Sequence, residues 1–341
     1  MSRWIAAAAV VLVLCVQPAL AAPRGPATSP EGNPVGAGVA APATVPLKPR
    51  TPPSPPPPPP PTQVEGLVIT ARPATPPVET VGAFVADISG QTANGRLARW
   101  DRKICPGVIG LKPPYGQTVI DRISLVAITV GLKVGEPGCK PNMVIVATDD
   151  SQAMARMVVD ANAVGFGKGE DGVSRGRAAL KDFVETPRPV RWWHVTQTVT
   201  ADGFRYGRGE DNAPPTLTVR SASRIKSNTR DDFSRVIIMV DVTRVGVIRF
   251  EALTDYIAMV ALAQIDPATD PSGVPTVLNL FSARDKGATP PLGLTGWDVA
   301  YLQSLYTTDS AALRGSRQER QMVRAMMDRL GVAADGTDAE Q

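Results

Sequence analysis

The sequence predicts an α+β fold: one domain in which a mixed sheet packs against helices, running from about Thr80 to Val332 behind a proline-rich tether. Three observations carry that expectation. Apolar runs of strand length, MVIVAT at 143–148 and RVIIMVDV at 235–242, read as strands. Segments of helical period, such as FEALTDYIAMVALA at 250–263, alternate with them. Past Pro77 the composition turns from proline and alanine to mixed apolar and charged residues, over a length that can bury an ample core.

The chain opens on Arg3, an apolar stretch from Ile5 to Val16, and Ala19-Leu20-Ala21. Small residues at the first and third of those last positions fit signal-peptidase cleavage after Ala21. The apolar core is too short for a confident membrane span, and Leu14 before Cys15 is the wrong neighbour for a lipid-modified cysteine. Residues 1–21 are expected to be removed, leaving no stable membrane span and placing the protein in the periplasm or outside the cell. Retention of the segment as an anchor is the alternative.

Removal of the signal leaves Cys105 and Cys139. An even count in an exported chain favours one disulfide, contributing about 3–4 kcal/mol on the chain-entropy argument. A redox-active pair would want the close spacing that is absent here. The net charge of +4 is spread among interspersed acids and bases, a solvated surface instead of a nucleic-acid footprint.

Residues 22–79 cannot build a core. The run Pro55–Pro61 reads as a stiff polyproline II spacer, or as a ligand for an aromatic-lined groove. One apolar island interrupts the tether, from Val64 to Arg72. Its residues Glu65, Leu67, Val68, Ile69 and Thr70 resemble the TonB box of outer-membrane receptors, an extended segment that adds to a partner's sheet edge. That resemblance implies a partner-binding strand; docking on its own domain is the plainer alternative.

The elements then follow in order. AFVADI at 83–88 alternates and is expected as a strand, and Pro113-Pro114 open a helix from Tyr115 to Val130, with Val119, Ile123, Val126 and Val130 inward. MVIVAT leads into a helix beginning near Ser151, with Met154, Met157, Val158 and Ala161 on one face. Asp149-Asp150 before it reads as a cap or as an acidic dyad, and capping explains it without chemistry. GFGKGEDG at 165–172 lacks the ending of a phosphate loop, and neither it nor Gly209-Glu210-Asp211-Asn212 has the alternating oxygens of a calcium loop. A helix from Arg175 to Val184 precedes VRWWHVTQTV at 190–199 and TLTVRSASRI at 216–225, expected as a hairpin pair. On such a strand Trp192 and His194 point one way and Trp193 the other. The tryptophans either pack or stack on a ligand. His194 is the chain's single histidine, so no two-histidine metal site exists and any Ser-His-Asp relay would run through it.

The last third carries RVIIMVDV, FEALTDYIAMVALA, PTVLNLF at 275–281 and LTGWDVAYLQSLY at 294–306. Its order and spacing resemble the zincin metallopeptidases: a strand, an active-site helix, a turn segment (here expected as a short strand) and a closing helix. The resemblance places Asp255 at the first histidine, Tyr256 at the general-base glutamate, Met259 at the second histidine, Leu262 at the glycine and Ile265 at the third histidine. Zinc wants nitrogen ligands on one helix face, and these side chains do not supply them. The layout is therefore that of a degenerate zincin, with no catalytic residue, metal or cofactor expected. Read alone, the helix has an apolar stripe of Phe250, Leu253, Ile257, Val260 and Ala261, with Glu251 and Asp255 off it. A final helix, Ser316 to Leu330, lines up Met322, Val323, Met326, Met327 and Leu330, as core or as a partner face. Residues 333–341 read as a polar tail.

The functional expectation is a non-catalytic exported protein that binds another cell-envelope protein and no nucleic acid. The opposing expectation is a hydrolase working with carboxylates, drawn from Asp149, Asp150 and Asp255 in one cleft.

Overall fold

The computed structural model describes residues 78–92, 95–162, 166, 175–204, 226–310 and 315–331. The chain divides into two units, Met1–Val68 and Ile69–Gln341, and all of the described residues lie in the second. The expected signal, tether, polyproline run and Val64–Arg72 island fall outside them, as do GFGKGEDG apart from Phe166, the turn at 209–212, the segment 216–225 and the tail.

The domain is α+β, with a mixed sheet. Helix α1 spans Val78–Ile88, strand β1 Pro106–Ile109, helix α2 Pro113–Thr129 and strand β2 Met143–Thr148. Helices α3, Ser151–Ala161, and α4, Gly176–Glu185, lead to strands β3, Val190–Thr200, and β4, Thr229–Asp241. Helix α5 is Phe250–Leu262. A 3₁₀ turn at Val277–Asn279 runs into α6, Leu280–Asp285, followed by α7, Gly296–Thr307, and α8, Gly315–Leu330. The described strands form one sheet in the order β1-β2-β4-β3. The first three are parallel, with Ile145 opposite Ile238, and β3 runs antiparallel to β4, with Trp192 opposite Ile238. Gly110 turns the chain out of β1 at φ +85°, where a Cβ would run into the Ala147 carbonyl.

Alternation along the strands divides the sheet into two faces. Met143, Ile145, Val236, Ile238, Val240, Val190 and Trp192 face the large core, which α1, α2, α5, α7 and α8 complete. The opposite face is smaller: Trp193 packs there with Phe166 and with Phe183 of α4, at ring separations of 6.4 and 5.8 Å. Both tryptophans are buried and packed. Cys105, just before β1, and Cys139, in the connector before β2, sit at disulfide-bonding distance, so the bridge ties a strand end to the far side of α2.

Three local expectations change. Residues 83–88 belong to α1, not to a strand. Val81, Phe84, Val85 and Ile88 recur at helical spacing and are all buried, and this period outweighs the shorter alternation. The helix also begins at Val78, before the expected domain start. PTVLNLF is not a strand. The Thr276 side chain caps the Leu278 N–H at 3.2 Å and the Asp298 carboxylate takes the Val277 N–H at 2.8 Å, which starts helical turns there. The described partner of β3 is β4 instead of 216–225.

Helix α5 departs most from its expected form. It is buried from Ala252 to Leu262 without a break, Asp255 included, so it runs through the core with no wet face of its own. A helix apolar on nearly every side needs burial on nearly every side, and β3, β4, α2, α7 and the 3₁₀ turn provide it.

Candidate functional site

Buried charge gathers at several places among the described residues, Arg96 with Asp231 and Arg230 with Asp232 among them; two clusters and one exposed charged row bear on the positions the sequence singles out. The first cluster sits at the carboxyl ends of β2 and β4, beside the start of α3. Asp150 is the N-cap of α3, its carboxylate accepting from the Ala153 N–H at 2.8 Å. Asp149 beside it is exposed. One carboxylate oxygen of Asp241 accepts from the Ser151 hydroxyl at 3.0 Å, the other from the Thr243 hydroxyl at 2.6 Å and the Thr243 N–H at 3.1 Å. Burial pushes the Asp241 carboxyl up, yet the hydrogen bonds from Thr243 and Ser151 hold it below the usual carboxylate range.

Arg191 completes this cluster from β3. Its Nε donates to Ser151 Oγ at 3.0 Å and its Nη1 to the carbonyls of Phe183 and Val184, at 2.5 and 3.2 Å, in the last turn of α4. Burial lowers the guanidinium's pKa, and at 1 % exposure it stays inside the protein. One side chain thus joins the head of α3 to the tail of α4. Ser151 is fully buried with its hydroxyl committed on both sides, so it is no accessible nucleophile.

The second cluster lies among the positions that the zincin resemblance picked out, on α5 and just after it. The Arg122 guanidinium of α2 grips both oxygens of Asp255, the Nη2–Oδ2 contact being 2.9 Å, and Oδ2 also accepts from the Leu294 N–H at 2.8 Å. The guanidinium's own hydrogen bond to Asp255 holds the Arg122 pKa above its ordinary value. Asp255 is 4 % exposed and faces a loop backbone: a Cβ on Gly293 would collide with its Oδ2. Tyr256 lies edge-on between Trp192 and Phe281, its hydroxyl pKa raised by burial. Met259 is fully buried. Leu262 and Ile265 are buried too, and their carbonyls accept from the Tyr306 hydroxyl at 2.5 Å and the Trp192 indole at 3.1 Å. These residues do not fit zinc. The one carboxylate is taken by an arginine, and a thioether and two hydrocarbons offer no suitable ligand. Among the described residues no group of three His, Cys, Asp or Glu side chains stands close enough to hold a metal ion.

His194 stacks on Phe233 at 4.5 Å with its Nε2 unpartnered, and burial depresses its pKa to about 3. It is a neutral core residue at ordinary pH. The sheet separates the three acids considered for hydrolysis. Asp149 and Asp150 head α3, near the Arg191 and Trp193 face, while Asp255 belongs to the helix packed on the Trp192 face.

Several organising residues gave little sign of themselves in the sequence. Arg122 reaches Asp255 across 133 positions. Asp298, fully buried, closes a capping box with Thr295 and also binds Thr276; burial raises its carboxyl to about 6 despite these bonds. The Thr-x-x-Asp spacing before an apolar run was the available signal for that box. A lone arginine inside an apolar strand was the signal for Arg191. The charged row, Arg317, Arg320 and Arg324, is on the outer side of α8. Compared with known proteins, the chain matches no family model, no curated protein and no solved structure.

Proposed function

We propose that this is an exported cell-envelope protein whose domain binds another envelope protein and catalyses no reaction. The observation that carries the reading is the destination of its acids. Asp150 caps a helix, Asp255 neutralises Arg122, and Asp241 and Asp298 are saturated by hydroxyl and backbone donors. General acid–base work needs a carboxyl or imidazole that meets a substrate, with paired environments that separate two pKa values in one cleft. Asp241, Asp255 and Asp298 are buried against protein donors, and the exposed Asp150 stands apart from them as a helix cap.

Export is supported by the signal-like residues 1–21 and by the Cys105–Cys139 pair, which persists best in an oxidising compartment. No described helix is long and apolar enough to cross a membrane. The TonB-box-like stretch Glu65 to Thr70 would supply one partner contact by strand addition.

The test uses protein purified from the periplasmic fraction. Its N-terminus and thiol content are determined, its zinc is measured, and peptide and ester hydrolysis is assayed. Intact envelopes are then cross-linked with and without residues 64–72. The reading expects a mature start at Ala22, no free thiol, no turnover and a cross-linked adduct lost on deletion of the island. Stoichiometric zinc accompanied by hydrolysis would replace it with the hydrolase reading.

A further inference from the structure

The Cys105–Cys139 bridge has two unlike ends. Cys105 is 5 % exposed and held by its backbone: its N–H donates to the Asn142 side chain at 2.8 Å, and its carbonyl accepts from the N–H groups of Asn142 and Met143 at 3.1 and 3.3 Å. Ile104 before it is fully buried and pairs with the connector, donating to the Lys133 carbonyl at 2.9 Å and accepting from the Gly135 N–H at 2.8 Å. Cys139 is only half-buried. It ends a turn of exposed residues, Glu136, Pro137 and Gly138, which its own N–H closes on the Glu136 carbonyl at 3.0 Å. The turn stands in open space, since a Cβ on Gly138 would meet nothing within 4 Å. Beside the Cys139 sulfur lies Gly135, where a Cβ would crowd Sγ at 2.7 Å. The bridge thus joins a covered sulfur to one on an open turn.

We infer that Cys139 is the sulfur through which a dithiol–disulfide oxidoreductase closes this bridge, acting on a domain already folded around Cys105. The backbone bonds at Ile104, Cys105 and Asn142 need no sulfur, so β1, α2 and β2 bring the two cysteines together before they are joined. Exchange depends on which sulfur is attacked and on access to it, and only the Cys139 end offers an approach. In the first step the Cys139 thiolate attacks the oxidant's disulfide. That S–S bond breaks, one oxidant sulfur leaves as a thiolate, and a mixed disulfide forms on Cys139. Cys105 then attacks Cys139 Sγ as a thiolate, and the mixed bond breaks. The protons of both cysteines end on the oxidant's two sulfurs, and two electrons pass from the pair to the oxidant, which leaves as a dithiol. Reduction retraces the path, with the incoming thiolate attacking Cys139 Sγ and Cys105 departing under cover. The assignment does not depend on what the domain binds.

The experiment uses the protein purified from the periplasmic fraction, reduced and freed of reductant, with near-UV circular dichroism as the measure of folding. A short pulse of iodoacetamide is followed by peptide mass mapping. The reduced protein is expected to stay folded and to take the label on Cys139 at least about tenfold faster than on Cys105, and urea should bring the two rates together. Oxidised glutathione then serves as the disulfide probe on two variants. Cys105→Ser should form a mixed disulfide on Cys139, and Cys139→Ser should form one on Cys105 at least about tenfold more slowly. If a variant fails to fold, the wild-type pulse decides alone. Loss of the folded signal on reduction would overturn the assignment, because the bridge would then precede the fold. Equal labelling of both cysteines in the folded protein, or faster labelling of Cys105, would overturn it as well.

Discussion

Helices α5 and α8 belong to one domain and put their polar residues to opposite uses. α5 is enclosed on nearly every side, and its one buried acid, Asp255, is fastened to Arg122 and to the Leu294 backbone. α8 is enclosed on one side only and turns outward three arginines that have no ion-pair partner among the described residues. The helix whose spacing resembled an enzyme's is buried from Ala252 to Leu262. The helix whose methionine side read as core or as a partner face buries Met322, Met326 and Met327 and leaves its arginines exposed. Chemical side chains in a sequence indicate function only when packing leaves them a free direction.

Breaking the enclosed side should have the largest effect. Asp255→Ala strands the Arg122 charge and an inward N–H, and should cost about 3 kcal/mol in urea unfolding. Met259→Ala opens a cavity in a site with no room to collapse and should cost about 2–3 kcal/mol by the same measurement. Met326→Ala on the inward side of α8 should cost a similar amount, since it is equally buried. If Met326 were much cheaper to truncate than Met259, the two buried sides would not be equivalent.

A pH series sharpens the contrast under α5. The folded pKa of His194 lies at about 3, below its unfolded value of about 6.5, so its stabilising effect is complete above the unfolded value and is lost as pH falls. Between about pH 7 and about pH 5 this should remove about 2 kcal/mol, and His194→Phe should abolish that part of the slope. Asp298 works in the other direction over the same window. Its raised pKa favours the fold at low pH, and that benefit is lost as pH rises through about 6. The difference between wild type and His194→Phe isolates the histidine. The smallest effect belongs to the open side. Replacing Arg317, Arg320 and Arg324 by glutamine should change stability by no more than about 0.5 kcal/mol.

The sequence disclosed those parts of this contrast that depend on neighbours along the chain. β2 and β4 announced themselves because an unbroken apolar run of strand length has few other uses, and α2 because two prolines suit a first turn. α1 was misread because six residues of AFVADI suit an alternating period as well as a helical one, and the deciding Val81 lay just outside them. At 275–281 the apolar run suggested a strand, while the Thr276 and Asp298 bonds that make it helical join residues 22 positions apart. The candidate site was less legible for the same reason. Position identified Asp150 as a cap, but nothing local could show that Asp255 would meet Arg122, or that Ser151, Arg191 and Asp241 would converge from a helix and two strands. Such contacts come from topology.

The most direct test pairs stability with turnover for Asp255→Ala. Urea unfolding of this variant should show a midpoint well below wild type, and peptide or ester hydrolysis should be absent from both proteins. An unchanged midpoint, together with a hydrolytic activity that wild type has and the variant lacks, would contradict the account.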